Sequence, residues 1–188
     1  MRNLIQRFDA WICRIEKVYV FCNDAECILR LQVRGAPHLL HFATQDIQKG
    51  QPVLMLHLWN ERIPLMLPAG PDMSWAVETY RKFSRSLCKV GRYIQSEPGG
   101  MSVQAVGGVS ALFSLANPSS GVRMLHRLGF EVIPYQNPWG GLGEFWENFY
   151  SWWLIWAYNP ASLRYRRFFR QQRTEIWMPI AEFLRRYG

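Results

Sequence analysis

The sequence predicts an α+β fold built on a mixed, mainly antiparallel sheet, and three observations carry that prediction. Short runs bounded by Gly and Pro alternate apolar and polar residues with period two, as half-buried strands do. Between them lies a long segment whose apolar residues recur at steps of three and four, the spacing of an amphipathic helix. The 188 residues are 49% hydrophobic and 19% charged, enough for a buried core and too apolar for a disordered chain.

The elements follow in order. Leu4, Ile5, Phe8, Trp11, Ile12, Ile15 and Tyr19 have helical spacing, so the chain opens with an amphipathic helix. Arg2, Arg7, Asp9, Arg14, Glu16 and Lys17 interrupt it, leaving no apolar run long enough for a signal peptide. Cys27, Leu29, Leu31 and Val33 alternate with Ile28, Arg30 and Gln32 as a strand, and Gly35-Ala36-Pro37 turns it into a second strand from His38 to Ala43. A polar link, Thr44 to Gln51, precedes residues 53–59, which are apolar on both faces and predict a central strand. The three strands are expected to pair as an antiparallel meander.

A Pro- and Gly-rich loop, Glu61 to Pro71, leads to Asp72, the expected N-cap of a helix reaching about Gln95. Met73, Ala76, Tyr80, Phe83, Leu87, Val90 and Ile94 commit one face of that helix to the core, and Pro98-Gly99-Gly100 stops it. Val103 to Phe113 reads as a strand in which Gly107-Gly108 marks a bulge or a close backbone approach. Asn117 to Ser120 reads as turn and N-cap, residues 121–128 as a short helix closed by Gly129, and Phe130 to Ile133 as a strand. The chain is therefore expected to divide into a core domain, 1–137, and an aromatic-basic helical extension, 138–188, packing on or beside it.

Charge and aromatic content are uneven. Lys and Arg number 22 against 14 Asp and Glu, a net charge of +8, and there are 9 Trp. Six of those Trp follow Pro138, and from Ser151 onward seven Arg face two Glu. The four Cys, at 13, 22, 27 and 88, are too few and too irregular for a disulfide framework and suit a reducing compartment. The charge-free stretch near the C-terminus, Asn148 to Ala161, is too short to cross a membrane. No transmembrane helix or signal peptide is expected, and the expected location is the cytoplasm, peripheral at the inner membrane.

Two resemblances rest on particular residues. Gly50-Gln51-Pro52-Val53-Leu54-Met55-Leu56-His57-Leu58-Trp59-Asn60, with Leu128-Gly129-Phe130-Glu131-Val132, resembles the YkoP-like family of small bacterial proteins, some fused to polysaccharide deacetylases. That resemblance implies a bacterial origin and a connection with the cell envelope. The element order α-βββ-α-β-α-β, with Leu128-Gly129-Phe130 at the end of the last helix, is similar to the core of the GNAT acyltransferases. Active members cradle the CoA pyrophosphate on a glycine-rich loop before the long helix. The loop here, Arg62 to Gly70, lacks that glycine spacing and holds Pro64 and Pro68, which have no amide to donate; Leu125 stands where the frequent general-acid Tyr would be. The resemblance thus implies a degenerate cofactor site, with Arg62, Gly70 and Asp72 as its candidate residues, and no cofactor is expected unless the chain is an acetyl-CoA-dependent enzyme.

Candidate functional residues form four groups. His57, Asn60 and Glu61 end the central strand, where His57 and Glu61 could form an acid–base pair or a satisfied turn. Cys22, Cys27, His38 and His41 have zinc-compatible gaps, but Cys27 occupies a core position of a strand, so no metal is expected. Arg81, Arg85, Lys89 and Arg92 make a basic stripe on the long helix, able to receive an anion or simply to solvate its outer face. In the extension, Trp152, Trp153, Trp156, Tyr158, Phe168 and Phe169 accompany Arg164, Arg166, Arg167, Arg170 and Arg173. Amphipathic rings and clustered Arg suit an anionic membrane surface or an acidic protein partner, and less well a nucleic acid. The alternative is that the rings pack on the sheet. No Gly-x-Ser-x-Gly elbow or phosphate-binding glycine loop is present.

Overall fold

The computed structural model describes residues 2–70, 72–97, 102–110, 120–135, 137, 140–165 and 173–188. Helix α1 spans Arg2–Ile15 and is followed by strand β1, Leu29–Gly35, the short strands β2, Leu40–His41, and β3, Asp46–Ile47, and strand β4, Pro52–Leu58. Helix α2, Met73–Ser96, leads to β5, Ala105–Ser110, then to helix α3, Ser120–Arg127, and β6, Glu131–Pro134. Helix α4, Gly140–Tyr158, precedes β7, Thr174–Pro179, and helix α5, Ile180–Tyr187. The fold is α+β, as the alternating periods predict.

Five strands form one sheet in the order β1-β4-β5-β7-β6. Only the β4–β5 pair is parallel; the other three pairs are antiparallel. The expected meander is corrected in one respect. β1 pairs directly with β4, from Leu29 opposite Leu58 to Gly35 opposite Pro52, while β2 and β3 form a separate hairpin. Backbone bonds from Gly50 N to Ala36 O (3.0 Å) and Ala36 N to Gln51 O (2.8 Å) close the base of that excursion. Its apolar side chains, Ala36, Leu40 and Ile47, fold back onto Val53, Met55, Ala105 and Trp177 of the sheet. Burying them there gains more than edge-on pairing in water would.

The two faces of the sheet are covered differently. Leu29, Leu31, Leu54, Val106, Ile176 and Met178 point to one side, where α2, α3 and α5 add Phe83, Leu87, Val90, Leu125 and Phe183 to form the main core. Asp72 begins α2 as expected, its carboxylate accepting from the amide of Trp75 at 2.7 Å. Gly129 follows α3 with φ +90°, the left-handed conformation that glycine adopts without strain. The opposite face carries the hairpin at one end and α1 at the other, above Arg30, Gln32 and His57 of the alternate β1 and β4 positions.

The C-terminal segment contributes β7 to the sheet. β7 lies between β5 and β6, bonded to both, with Gly107 opposite Trp177 and Ile133 opposite Glu175. Gly107 explains the glycine pair: a Cβ there would stand 2.1 Å from Cε3 of the buried Trp177 indole, so the feature is a close approach.

Candidate functional site

α1 and α4 pack side by side and share a small buried cluster of Ile5, Leu154 and Ala157. Asp9 ties them to the sheet, accepting from Arg30 at 3.0 Å and from the Tyr150 hydroxyl at 2.6 Å. The apolar arc of α1 is wider than that contact. Ile5 turns inward, while Leu4, Phe8, Trp11 and Ile15 stay in solvent. At 100° per residue these four form one stripe, with exposed Arg7 and Arg14 along its free edge.

α4 continues the stripe. Trp11 touches Phe8 (ring centroids 5.8 Å apart), Phe8 touches Trp153 (5.5 Å), and Trp153 touches Phe149 (6.3 Å). Phe149 then meets Trp146 at 6.1 Å, and Trp146 meets Phe145 at 5.6 Å. The ring contacts run without a break from one helix to the other. Most of these rings are nonetheless open to water, Trp11 at 54% and Trp146 at 59% of full exposure. A continuous exposed apolar face of this kind is uncommon on a soluble monomer.

Beneath α4 lies a cavity of about 90 Å³. It sits at the carboxyl ends of the parallel strands β4 and β5, whose ladder registers only Leu54 with Val106 and Met55 with Gly107. Leu56, Leu58 and Gly108 line its floor, Trp75, Thr79 and Phe83 of α2 one wall, and Leu154, Ile155 and Tyr158 of α4 its roof. None of the described lining residues carries a charge. Ligands of open sheets with parallel strands commonly lie at this end.

The family model of the YkoP domain matches residues 2–187. The chain belongs to the YkoP domain family. No curated protein and no solved structure matches this YkoP domain.

The predicted residues of the domain occupy separate places. His57 is half-buried beside α1 on the face away from the cavity, with its Nε2 3.0 Å from Gln32 Oε1, and Gln32 Nε2 donates to the Glu16 carbonyl. Burial, then the charges of Arg34 and Arg30, lowers its pKa to about 4, so the imidazole is neutral at pH 7. Glu61 accepts instead from the indole of Trp59 (3.0 Å) and the hydroxyl of Tyr158 (2.9 Å). Arg62 stacks on Trp59 with its guanidinium carbon 3.5 Å from the ring centroid, and it donates to the carbonyls of Asp24 and Cys27. Asn60 reaches the cavity wall. Gly70 lies in the same loop, its amide donating to Leu67 O at 2.9 Å.

The possible zinc ligands are dispersed. Cys27 is buried, His38 Nε2 lies 2.9 Å from Glu175 Oε2, and His41 pairs with Asp46 at 2.9 Å. Among the described residues no three His, Cys, Asp or Glu side chains gather as metal ligands would. The α2 stripe is met by acids: Arg81 and Arg85 lie 3.6 Å and Lys82 3.4 Å from Glu26, and Lys89 pairs with Asp24, while Arg92 is exposed. It also lies on the other side of the sheet from α1, which is tied to Arg30 and Gln32.

Within the extension, Trp156 is exposed, Trp152 and Trp153 are half-buried, and Arg173 pairs with Glu147 and Ser151. Arg166, Arg167, Phe168, Phe169 and Arg170 lie outside the described residues, as does the side chain of Arg164. Trp146 and Phe149 belong to the aromatic crowding of the extension, whereas Leu4, Phe8, Trp11 and Ile15 of α1 and Leu142 and Phe145 of α4 were absent from the candidate contacts. The signal of the α1 residues was present in the first helix, which has more apolar positions than one buried face can use.

Proposed function

We propose that this YkoP domain is a non-catalytic binding module that lies in the plane of an anionic membrane surface, where it serves envelope-polysaccharide machinery. The continuous exposed aromatic face of α1 and α4 carries the reading. An in-plane helix needs an apolar stripe with a basic margin, and Leu4, Phe8, Trp11 and Ile15 beside Arg7 and Arg14 have that pattern. Trp and Tyr rings favour the headgroup zone, and each basic residue near an anionic leaflet contributes about 1 kcal/mol. The net charge of +8 favours the same partner. Among the described residues no helix is long and apolar enough to cross the bilayer.

The test is co-sedimentation with vesicles of phosphatidylglycerol and phosphatidylcholine, with pure phosphatidylcholine as control. Binding is expected only to the anionic vesicles, falling at high salt and accompanied by a blue shift of Trp emission. Trp11→Glu with Trp146→Glu alters exposed positions, so it should keep the fold and lose binding. A native protein that stays in the supernatant with anionic vesicles at low salt overturns the proposal.

The second reading is an acyl-CoA-dependent N-acyltransferase with a divergent loop. The sheet order and the cavity at the ends of the parallel pair favour it. The loop does not fit the cofactor: Asp72 already caps the first turn of α2 with a carboxylate, and Pro64 and Pro68 offer no amides. A saturable thermal shift with acetyl-CoA, absent with ADP, would restore it; no shift is expected.

A further inference from the structure

The chain between α1 and β1 doubles back on itself. Tyr19 and Leu31 exchange both backbone bonds, Tyr19 N to Leu31 O at 2.8 Å and Leu31 N to Tyr19 O at 2.9 Å, so the two arms run antiparallel. The reversal lies at Asp24–Cys27. There the Cys27 amide donates to Asp24 O at 3.0 Å and the Glu26 amide to Asp24 Oδ1 at 2.8 Å. Arg62 grips both ends of this turn, donating to Asp24 O at 2.6 Å and to Cys27 O at 3.2 Å. α2 adds Lys89 on the Asp24 carboxylate and Ser86 Oγ, which accepts from the Ile28 amide at 3.0 Å.

This pinned turn has one cysteine on each arm. Cys27 is buried, its Sγ donating to Leu29 O at 3.7 Å, while Cys22 is half-buried. Burial pushes the Cys27 thiol up, and the adjacent Cys22 thiol pushes it the same way. The other two thiols lie elsewhere: Cys13 Sγ is 3.2 Å from Arg30 Nη1, and Cys88 is on α2.

We propose that Cys22 and Cys27 are a reversible thiol pair, a modification site that a low-molecular-weight disulfide such as oxidised glutathione converts to a Cys22–Cys27 disulfide. The more accessible thiol reacts first. The Cys22 thiolate attacks one glutathione sulfur, the glutathione S–S bond breaks, and one glutathione thiolate leaves. The Cys27 thiolate then attacks the Cys22 sulfur of the mixed disulfide and expels the second glutathione. The two protons released by the cysteines end on the two glutathiones, so two protein thiols are oxidised as one external disulfide is reduced. Burial keeps Cys27 from outside partners and leaves Cys22 as the sulfur within its reach. The bond would fasten the turn that offers Asp24 and Glu26 to the basic stripe of α2.

The experiment equilibrates the whole folded chain with glutathione mixtures from reducing to oxidising, then quenches with acid, alkylates free thiols and digests with trypsin. Both cysteines fall on one peptide, Val18 to Arg30, whereas Cys13 and Cys88 fall on two others. In native protein the Val18–Arg30 peptide is expected two hydrogens lighter and unalkylated, at a glutathione ratio that leaves Cys13 and Cys88 alkylated. Dithiothreitol should reverse the change. Cys27→Ala should stop at a glutathione adduct on Cys22, and Cys22→Ser should leave Cys27 a free thiol. The same peptide from chain held in urea should need a more oxidising mixture, because only the fold holds the two arms together. Native protein that accumulates glutathione on Cys22, that oxidises Cys13 or Cys88 first, or that forms the bond no more readily than chain in urea overturns the proposal.

Discussion

His57 shows how one side chain reports on its surroundings. Its position at the end of a central strand suggested an acid or base, but the pleat turns it under α1, beside Gln32 and two Arg of β1. Its pKa of about 4 in the folded chain lies below the usual value near 6.5. The native state therefore binds fewer protons than the unfolded one between those limits. The contribution to stability is complete above about pH 6.5 and is lost as the pH falls toward 4. Going from pH 7 to pH 5 should cost about 2 kcal/mol through this residue, and His57→Gln should remove that part of the slope in urea titrations at the two pH values. Gly107 gives a second prediction. Gly107→Ala would drive a methyl into the indole of Trp177, which is buried and cannot swing aside. A loss of about 2 kcal/mol is expected in chemical denaturation.

At the scale of elements, α1 combines an inward anchor with an outward face. Asp9 holds it to β1 through Arg30 and to α4 through Tyr150. Asp9→Ala leaves a half-buried guanidinium whose remaining acid, Glu61, is 3.9 Å away. The change should cost about 2 kcal/mol and speed hydrogen exchange in α1 more than in α2, as mass spectrometry would show. α2 behaves differently. Its apolar face was legible from spacing because a long helix repeats one pattern many times. Its basic stripe could not be interpreted from sequence, since Asp24 and Glu26, which meet it, come from a loop far away in the chain.

For the whole molecule, the decisive feature is β7. Cutting the chain after Asn137 removes the strand between β5 and β6 together with α5, which contributes Phe183 to the main core. The truncated chain is expected to unfold, with loss of dispersed amide resonances and of a cooperative thermal transition. Such an outcome would reflect the sheet and says nothing against the aromatic face. The strand was hidden in the sequence by Glu175, a charge in a segment that reads as a basic tail. That carboxylate is 2% exposed, held by His38 and by the indole of Trp177. By itself the sequence determined the α+β class, the cap at Asp72, the glycine end of α3 and the amphipathic start, because each depends on near neighbours and on period. Only the tertiary structure decided that β1 skips to β4, that β7 enters the sheet, and that α1 and α4 join their exposed rings. Those outcomes depend on which distant surfaces can bury one another, and no local spacing encodes that.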